Sequence, residues 1–147
     1  MSEPAKAAAV DLAARALARR DRSESDLRRI LDARGVPPGE ADGALATLRR
    51  IGAVDDERFA FRAAEALSER GYGDAAILVR LDREGIACEL AREAVANLQP
   101  EAERAAALAV RRGAGTKTAR WLARRGFAIE TIEAVPAIAA DTRTELG

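Results

Sequence analysis

The chain of 147 residues has no histidine, a single cysteine and five aromatic residues. Each shortage excludes something. Without histidine, the usual general base, the commonest zinc ligand and every Ser-His-Asp or Cys-His nucleophile system are gone. Acid–base work by Asp, Glu or Lys stays open but has no positive sign. Cys88 has no second thiol to pair with inside the chain, which fits a reducing compartment. Five aromatics (Phe59, Phe61, Tyr72, Trp121, Phe127) are too few for a base-stacking platform. No run approaches the ~18 apolar residues of a membrane span. The opening "MSEPAKAAAVDLAARALARR" is broken by Asp11, Arg15 and Arg19, unlike a secretory signal. A soluble cytoplasmic protein with no membrane contact is expected.

β-branched residues are also scarce and no period-2 alternation persists, which argues against a sheet. Ala, Leu, Arg and Glu fill the space instead, and all favour helix. Nine helices are predicted between short Gly/Pro breaks. The first covers about 5–20. The second, about 24–34, follows Ser23, where "SESD" resembles a capping box. The third runs from "PPGE" to about 51. The fourth opens at "DDERFAFRAAEALSER", with Asp55 or Asp56 as cap and Phe59, Ala63 and Leu67 on one face. The fifth spans about 74–84, and the sixth runs through Leu90, Ala94 and Leu98. Pro100 opens the seventh, and the eighth covers about 116–125. The ninth, "AIETIEAVPAIAA", is expected to bend or end at Pro136.

Three phrases repeat: "RRILDARGV" at 28–36, "VRLDREGI" at 79–86 and "RWLARRGF" at 120–127. Aligned on Gly35, Gly85 and Gly126, each has a leucine four residues earlier (Leu31, Leu81, Leu122). Each has an apolar residue one later (Val36, Ile86, Phe127). That is the pattern of a Schellman helix stop, in which the C3 and C″ side chains touch. Beyond each stop the apolar positions also match: Ala41, Ala91 and Ile132, then Ala44, Ala94 and Val135, then Leu48, Leu98 and Ala139. The expected fold class is therefore all-α. Three tandem three-helix repeats, at 1–54, 55–99 and 100–147, form one elongated, curved array.

Lys plus Arg equals Asp plus Glu, 24 each, yet residues 104–125 hold seven positive side chains and no acid. Arg120 and Arg124 share a helix face, with Lys117 three residues before them. The row can pair with phosphates or with carboxylates of a protein partner. The partner-binding candidates are Arg111, Arg112, Lys117, Arg120, Arg124 and Arg125. Trp121 adjoins them at a core-like position. "GAGTKT" at 113–118 departs from a phosphate-binding loop, because Thr116 separates Gly115 from Lys117 and no strand precedes it. The carboxylates of Asp55, Asp56 and Glu57 suit a helix N-terminus better than a metal. No catalytic residue, metal or cofactor is expected.

The string "GAVDDERFAFRAAEALSERGYGDAAILVRLDREGI" at 52–86 resembles the signature region of the RecX regulatory family. Its closest features are the "DDERFA" helix start, the "GYG" turn and the Ile77…Leu81…Gly85-Ile86 pattern. "RSESDLRRIL…RGV" before it and "LARRGF" after it also fit. The resemblance implies three three-helix units lying in the groove of RecA–DNA filaments. It also implies a non-enzyme that restrains RecA's ATPase, strand-exchange and co-protease activities in recombination, DNA repair and the SOS response; a monomer is expected. Direct DNA contact is expected to be weak, given the balanced charge. The alternative is a helical nucleic-acid-binding module acting independently of RecA; a carboxylate-based hydrolase has the least support.

Overall fold

A computed structural model describes residues 3–139. Among them all regular structure is helical: α1 (Glu3–Arg19), α2 (Glu24–Ala33), α3 (Pro38–Arg50), α4 (Asp56–Glu69), α5 (Asp74–Arg83), α6 (Cys88–Ala96), α7 (Glu101–Arg112), α8 (Thr116–Arg124) and α9 (Ile129–Glu133). Residues 136–139 are helical again, so Pro136 starts a new turn, where a missing N–H costs nothing. What was expected of the last helix beyond Ala139 lies outside the described residues.

The glycine phrases end helices as their spacing implies. Gly35, Gly85 and Gly126 sit at φ of 79, 75 and 88°. Val36, Ile86 and Phe127 donate their amides to the carbonyls of Leu31, Leu81 and Leu122 at 3.0, 3.0 and 3.1 Å. These are the 6→1 bonds of the Schellman motif. Two further helices stop the same way. Ala53 donates to Leu48 O at 2.9 Å after Gly52, and Tyr72 to Leu67 O at 3.1 Å after Gly71.

At the helix starts, Ser23 Oγ accepts from the Asp26 amide at 3.1 Å, one half of a capping box. The Asp26 carboxylate turns instead to Arg22, at 2.9 Å. Asp55 caps α4 by accepting from the Arg58 amide at 3.1 Å. The cap is thus Asp55, of the two expected candidates, while the Asp56 carboxylate reaches outside its own helix and accepts from the Glu24 amide at the start of α2, at 2.8 Å.

The helices pack as three triplets, each around its own core. Ala13, Leu27, Leu31, Leu45 and Leu48 centre the first. Ala60, Ala64, Ile77, Leu81 and Ile86 centre the second. Ala105, Leu122, Phe127, Ile132 and Val135 centre the third. On α4 the deepest residues are Ala60 and Ala64, while Phe59, Ala63 and Leu67 are half-buried beside them.

Successive triplets meet through two joints built to one plan. The start of a middle helix abuts the end of the next triplet's middle helix. At the first joint, Ser23 Oγ donates to Glu84 O at 2.6 Å. At the second, the Gly73 amide donates directly to Arg125 O at 2.7 Å. In each, the first residue of the incoming helix caps the neighbouring middle helix: Asp56 on the Glu24 amide, and Glu101 on the Asp74 amide at 2.7 Å.

Candidate partner-binding surface

The acid-free stretch occupies the end of α7, all of α8 and the turn between them. Thr118 and Leu122, one helical turn apart, are buried and fix which side of α8 faces the third core. Lys117, Arg120 and Arg124 then fall at i, i+3 and i+7 on the opposite side, all exposed. Arg111 is exposed in the last turn of α7. Thr118 Oγ1 donates to Gly113 O at 2.7 Å and ties the connecting turn to α8. A helix precedes "GAGTKT", so the strand–loop–helix context of a nucleotide loop is absent here.

The remaining two candidates are placed differently. Arg125 ends α8 half-buried, its Nη2 donating to Arg70 O at 2.9 Å. Its guanidinium lies 4.3 Å from the centre of the Tyr72 ring and 4.9 Å from that of Trp121. Arg112 lies 3.8 Å from the centre of the Trp121 ring, and Arg70 lies 5.7 Å from that of Tyr72. All four distances are within cation–π reach. Trp121 is thus half-buried at the margin of the third core, with arginines against its ring. Arg125 is a joint residue first.

Arg111, Lys117, Arg120 and Arg124 are exposed and make no ion pair among the described residues, and Arg112 is likewise exposed and unpaired although its guanidinium lies over Trp121. Guanidiniums in a row suit planar anions, carboxylate or phosphate, which they can grip through paired hydrogen bonds. Beside Arg120 the surface turns mostly apolar, where Ala119, Ala123, Ile129 and Ile132, with Glu133 among them, line a groove of about 610 Å³. The sequence reading missed Arg70 and Tyr72. They lie some fifty residues upstream, and only the tertiary joint brings them to Arg125.

No cluster of three or more metal-ligating side chains occurs among the described residues. No helix among them is long and apolar enough to cross a membrane.

Residues 9–48 match the family model for the RecX first three-helix domain. Regulatory protein RecX of Chromohalobacter salexigens is 35% identical over 131 residues, covering 83% of this chain and 86% of that protein. The chain belongs to the RecX family. Regulatory protein RecX of Salmonella typhimurium is 33% identical over 152 residues, covering 90% of this chain and 92% of its own length. The crystal structure of RecX from Lactobacillus salivarius shares the fold at a TM-score of 0.80 and 14% identity, covering 99% of this chain and all of that one. A second RecX crystal structure gives 0.74 at 23% identity over 89% of this chain and 71% of its own. The RecX relatives carry the name of regulatory proteins, and the all-helical architecture is theirs.

Proposed function

We propose that this chain is a non-catalytic regulator that binds the RecA–DNA filament and restrains it, with the exposed row on α8 as a contact. We read the three triplets as repeats, bounded near 54/55 and 99/100. A series of triplets held at fixed joints can touch several protomers of a filament at once, so individually weak contacts sum through effective concentration. The observation that carries this reading is the row Lys117, Arg120 and Arg124, with Arg111 nearby, exposed and making no ion pair among the described residues. Arg112 and Arg125 serve the row indirectly by holding Trp121 and Tyr72.

The test is a DNA-stimulated RecA ATPase assay with the protein titrated in. The wild-type chain is expected to inhibit. Arg120→Glu/Arg124→Glu is expected to weaken inhibition by about tenfold while helicity is unchanged. Unaltered inhibition would remove the α8 row from consideration. Tight binding to bare duplex, with a salt slope near −0.9 per phosphate neutralised, would favour the nucleic-acid module acting without RecA.

A further inference from the structure

The first triplet holds a second concentration of unneutralised positive charge, far along the chain from α8. A groove of about 420 Å³ runs between α1 and α2. Leu12 and Ile30 supply an aliphatic floor, Arg15, Arg19, Arg22 and Arg34 contribute the cations, and no carboxylate is among the lining residues. Leu12, Arg15 and Arg19 share one side of α1 at i, i+3 and i+7.

One of the four arginines is already engaged. Arg22 donates from Nε to Ala16 O at 3.0 Å and from Nη1 to Asp26 at 2.9 Å. Asp26 also has Arg20 and Arg29 within 3.6 Å, so its charge is met several times over. Arg15, Arg19 and Arg34 are exposed and make no ion pair among the described residues. Like charges at i and i+4, as in Arg15 and Arg19, cost helix stability. Arg19 in the last turn of α1 and Arg34 at the end of α2 suit the negative ends of their helices, but Arg15 has no such role, and none of the three is neutralised by a carboxylate.

The second triplet makes the same point. Aligned on Gly35 and Gly85, α1 and α4 end in register, as do α2 and α5. Arg15, Arg19 and Arg34 then correspond to Glu65, Glu69 and Glu84. Three positions that are arginine in one triplet are all glutamate in the next, in helices of the same layout. The architecture is indifferent to charge there, so the cations belong to the surface and to whatever it meets.

We propose that the α1/α2 groove docks an acidic peptide segment of a partner protein, with an aliphatic side chain seated on Leu12 and Ile30 and flanking carboxylates held by Arg15, Arg19 and Arg34. Charge complementarity selects an anion, and the aliphatic floor selects one that carries a hydrophobic side chain. A nucleic acid would satisfy the guanidiniums but leave that floor uncovered. No aromatic ring lines the groove on which a base could stack. The volume is within the range of small binding clefts and has room for one or two side chains. This proposal does not depend on the filament reading, because the α8 row lies in the third triplet.

The test is fluorescence anisotropy with a labelled short peptide of glutamates and two leucines. It is run beside the same peptide with serine for leucine, and beside a single-stranded oligonucleotide of equal length. Saturable binding of the leucine peptide is expected, with the serine version about tenfold weaker. Arg15→Glu/Arg34→Glu is expected to lose at least about tenfold, while Arg62→Glu/Arg92→Glu, an equal charge change elsewhere, leaves binding unchanged. Circular dichroism checks folding, and Arg15→Gln/Arg34→Gln gives a milder version should the reversal disturb it. Equal binding of both peptides, or no dependence on Arg15 and Arg34, would overturn the proposal. So would tighter binding of the oligonucleotide through the same arginines. Self-association that the variant abolishes would assign the groove to a second copy instead.

Discussion

The two joints follow one plan and differ in how closely the chains meet and how deeply their arginines are buried. At the first, a hydroxyl intervenes between the two segments: Ser23 is fully buried, accepts from Asp26 N and donates to Glu84 O. At the second, the equivalent residue is Gly73, and its backbone amide reaches Arg125 O without an intermediary. The first joint has an exposed arginine, Arg49 of α3, on Glu24. The second has a buried one, Arg104 of α7, on the equivalent Asp74 at 2.6 Å and on Tyr72 O at 2.8 Å. A repeat architecture fixes where neighbours meet, and the residues at the meeting point then decide how closely they approach. A removed side chain at position 73 shortens the joint, and the shorter joint can enclose a charge.

The largest expected effect breaks that difference in distance. A Cβ on Gly73 would lie 2.5 Å from the carbonyl carbon and oxygen of Gly126 and from the Phe127 amide, all backbone atoms that cannot swing aside. Gly73→Ala should destabilise the chain by about 3 kcal/mol, read as a fall in the urea midpoint. Ser23→Ala at the first joint adds no bulk and loses the two hydrogen bonds of one hydroxyl, for about 1–2 kcal/mol. Equal losses at the two sites would show that the second joint can open to admit a methyl group.

A smaller effect separates the arginines. Arg104 is 8% exposed and covers Phe127 as well as binding Asp74, Tyr72 O and Gln99 O. Arg104→Ala removes charged hydrogen bonds and a packed stem together, and should cost about 2–3 kcal/mol in a denaturation series. Arg49 is 59% exposed in its pair with Glu24, and solvent competes for both partners. Arg49→Ala should leave the midpoint nearly unmoved. A matching drop would mean that the first joint depends on its surface ion pair, contrary to its exposure.

What the sequence disclosed and what it hid divide along the same line. Helix stops are local: Leu31 and Val36, or Leu122 and Phe127, declare a Schellman motif within a few residues. The spacing of Ala41, Ala44 and Leu48 likewise declares a buried face. The triplet cores follow from such patterns and could be read directly. The joints could not. Asp56 looks like one more acid at a helix start until α2 is seen beside it. Arg125 looks like one more cation in a basic run until Tyr72 and Arg70 are brought against it across fifty-odd residues. Of the six cations singled out, five are exposed, placed by periodicity on α8 and by the polar end of α7. Arg125 was claimed by a contact that no local pattern encodes, and Arg112 was turned onto Trp121 by the fold of the α7–α8 turn.

The subtlest difference concerns the two capping carboxylates, and acid should pull the joints in opposite directions. Burial raises the Asp56 pKa, and the nearby Glu24 and Asp55 charges raise it further, against the lowering pull of the Glu24 amide and Arg49. Burial also pushes Glu101 upward, but the amides of Ala128 and Asp74, the Thr131 hydroxyl and Arg104 outweigh it and leave Glu101 below the usual carboxylate range. A folded-state pKa above the unfolded value of ~3.9 means that the folded chain carries a penalty while Asp56 is ionised, and protonation relieves it. The first joint should therefore gain as pH falls through Asp56's raised pKa towards ~3.9. For Glu101 the sign is reversed: its contribution is complete above the unfolded value of ~4.3 and is lost as pH falls through its depressed pKa. Urea midpoints of the wild type, Asp56→Asn and Glu101→Gln between about pH 6 and 3 isolate the two terms. Relative to Asp56→Asn the wild type should improve on acidification, and relative to Glu101→Gln it should worsen. Parallel curves would mean that both carboxylates experience one environment, and that the second joint's closer approach does not extend to its cap.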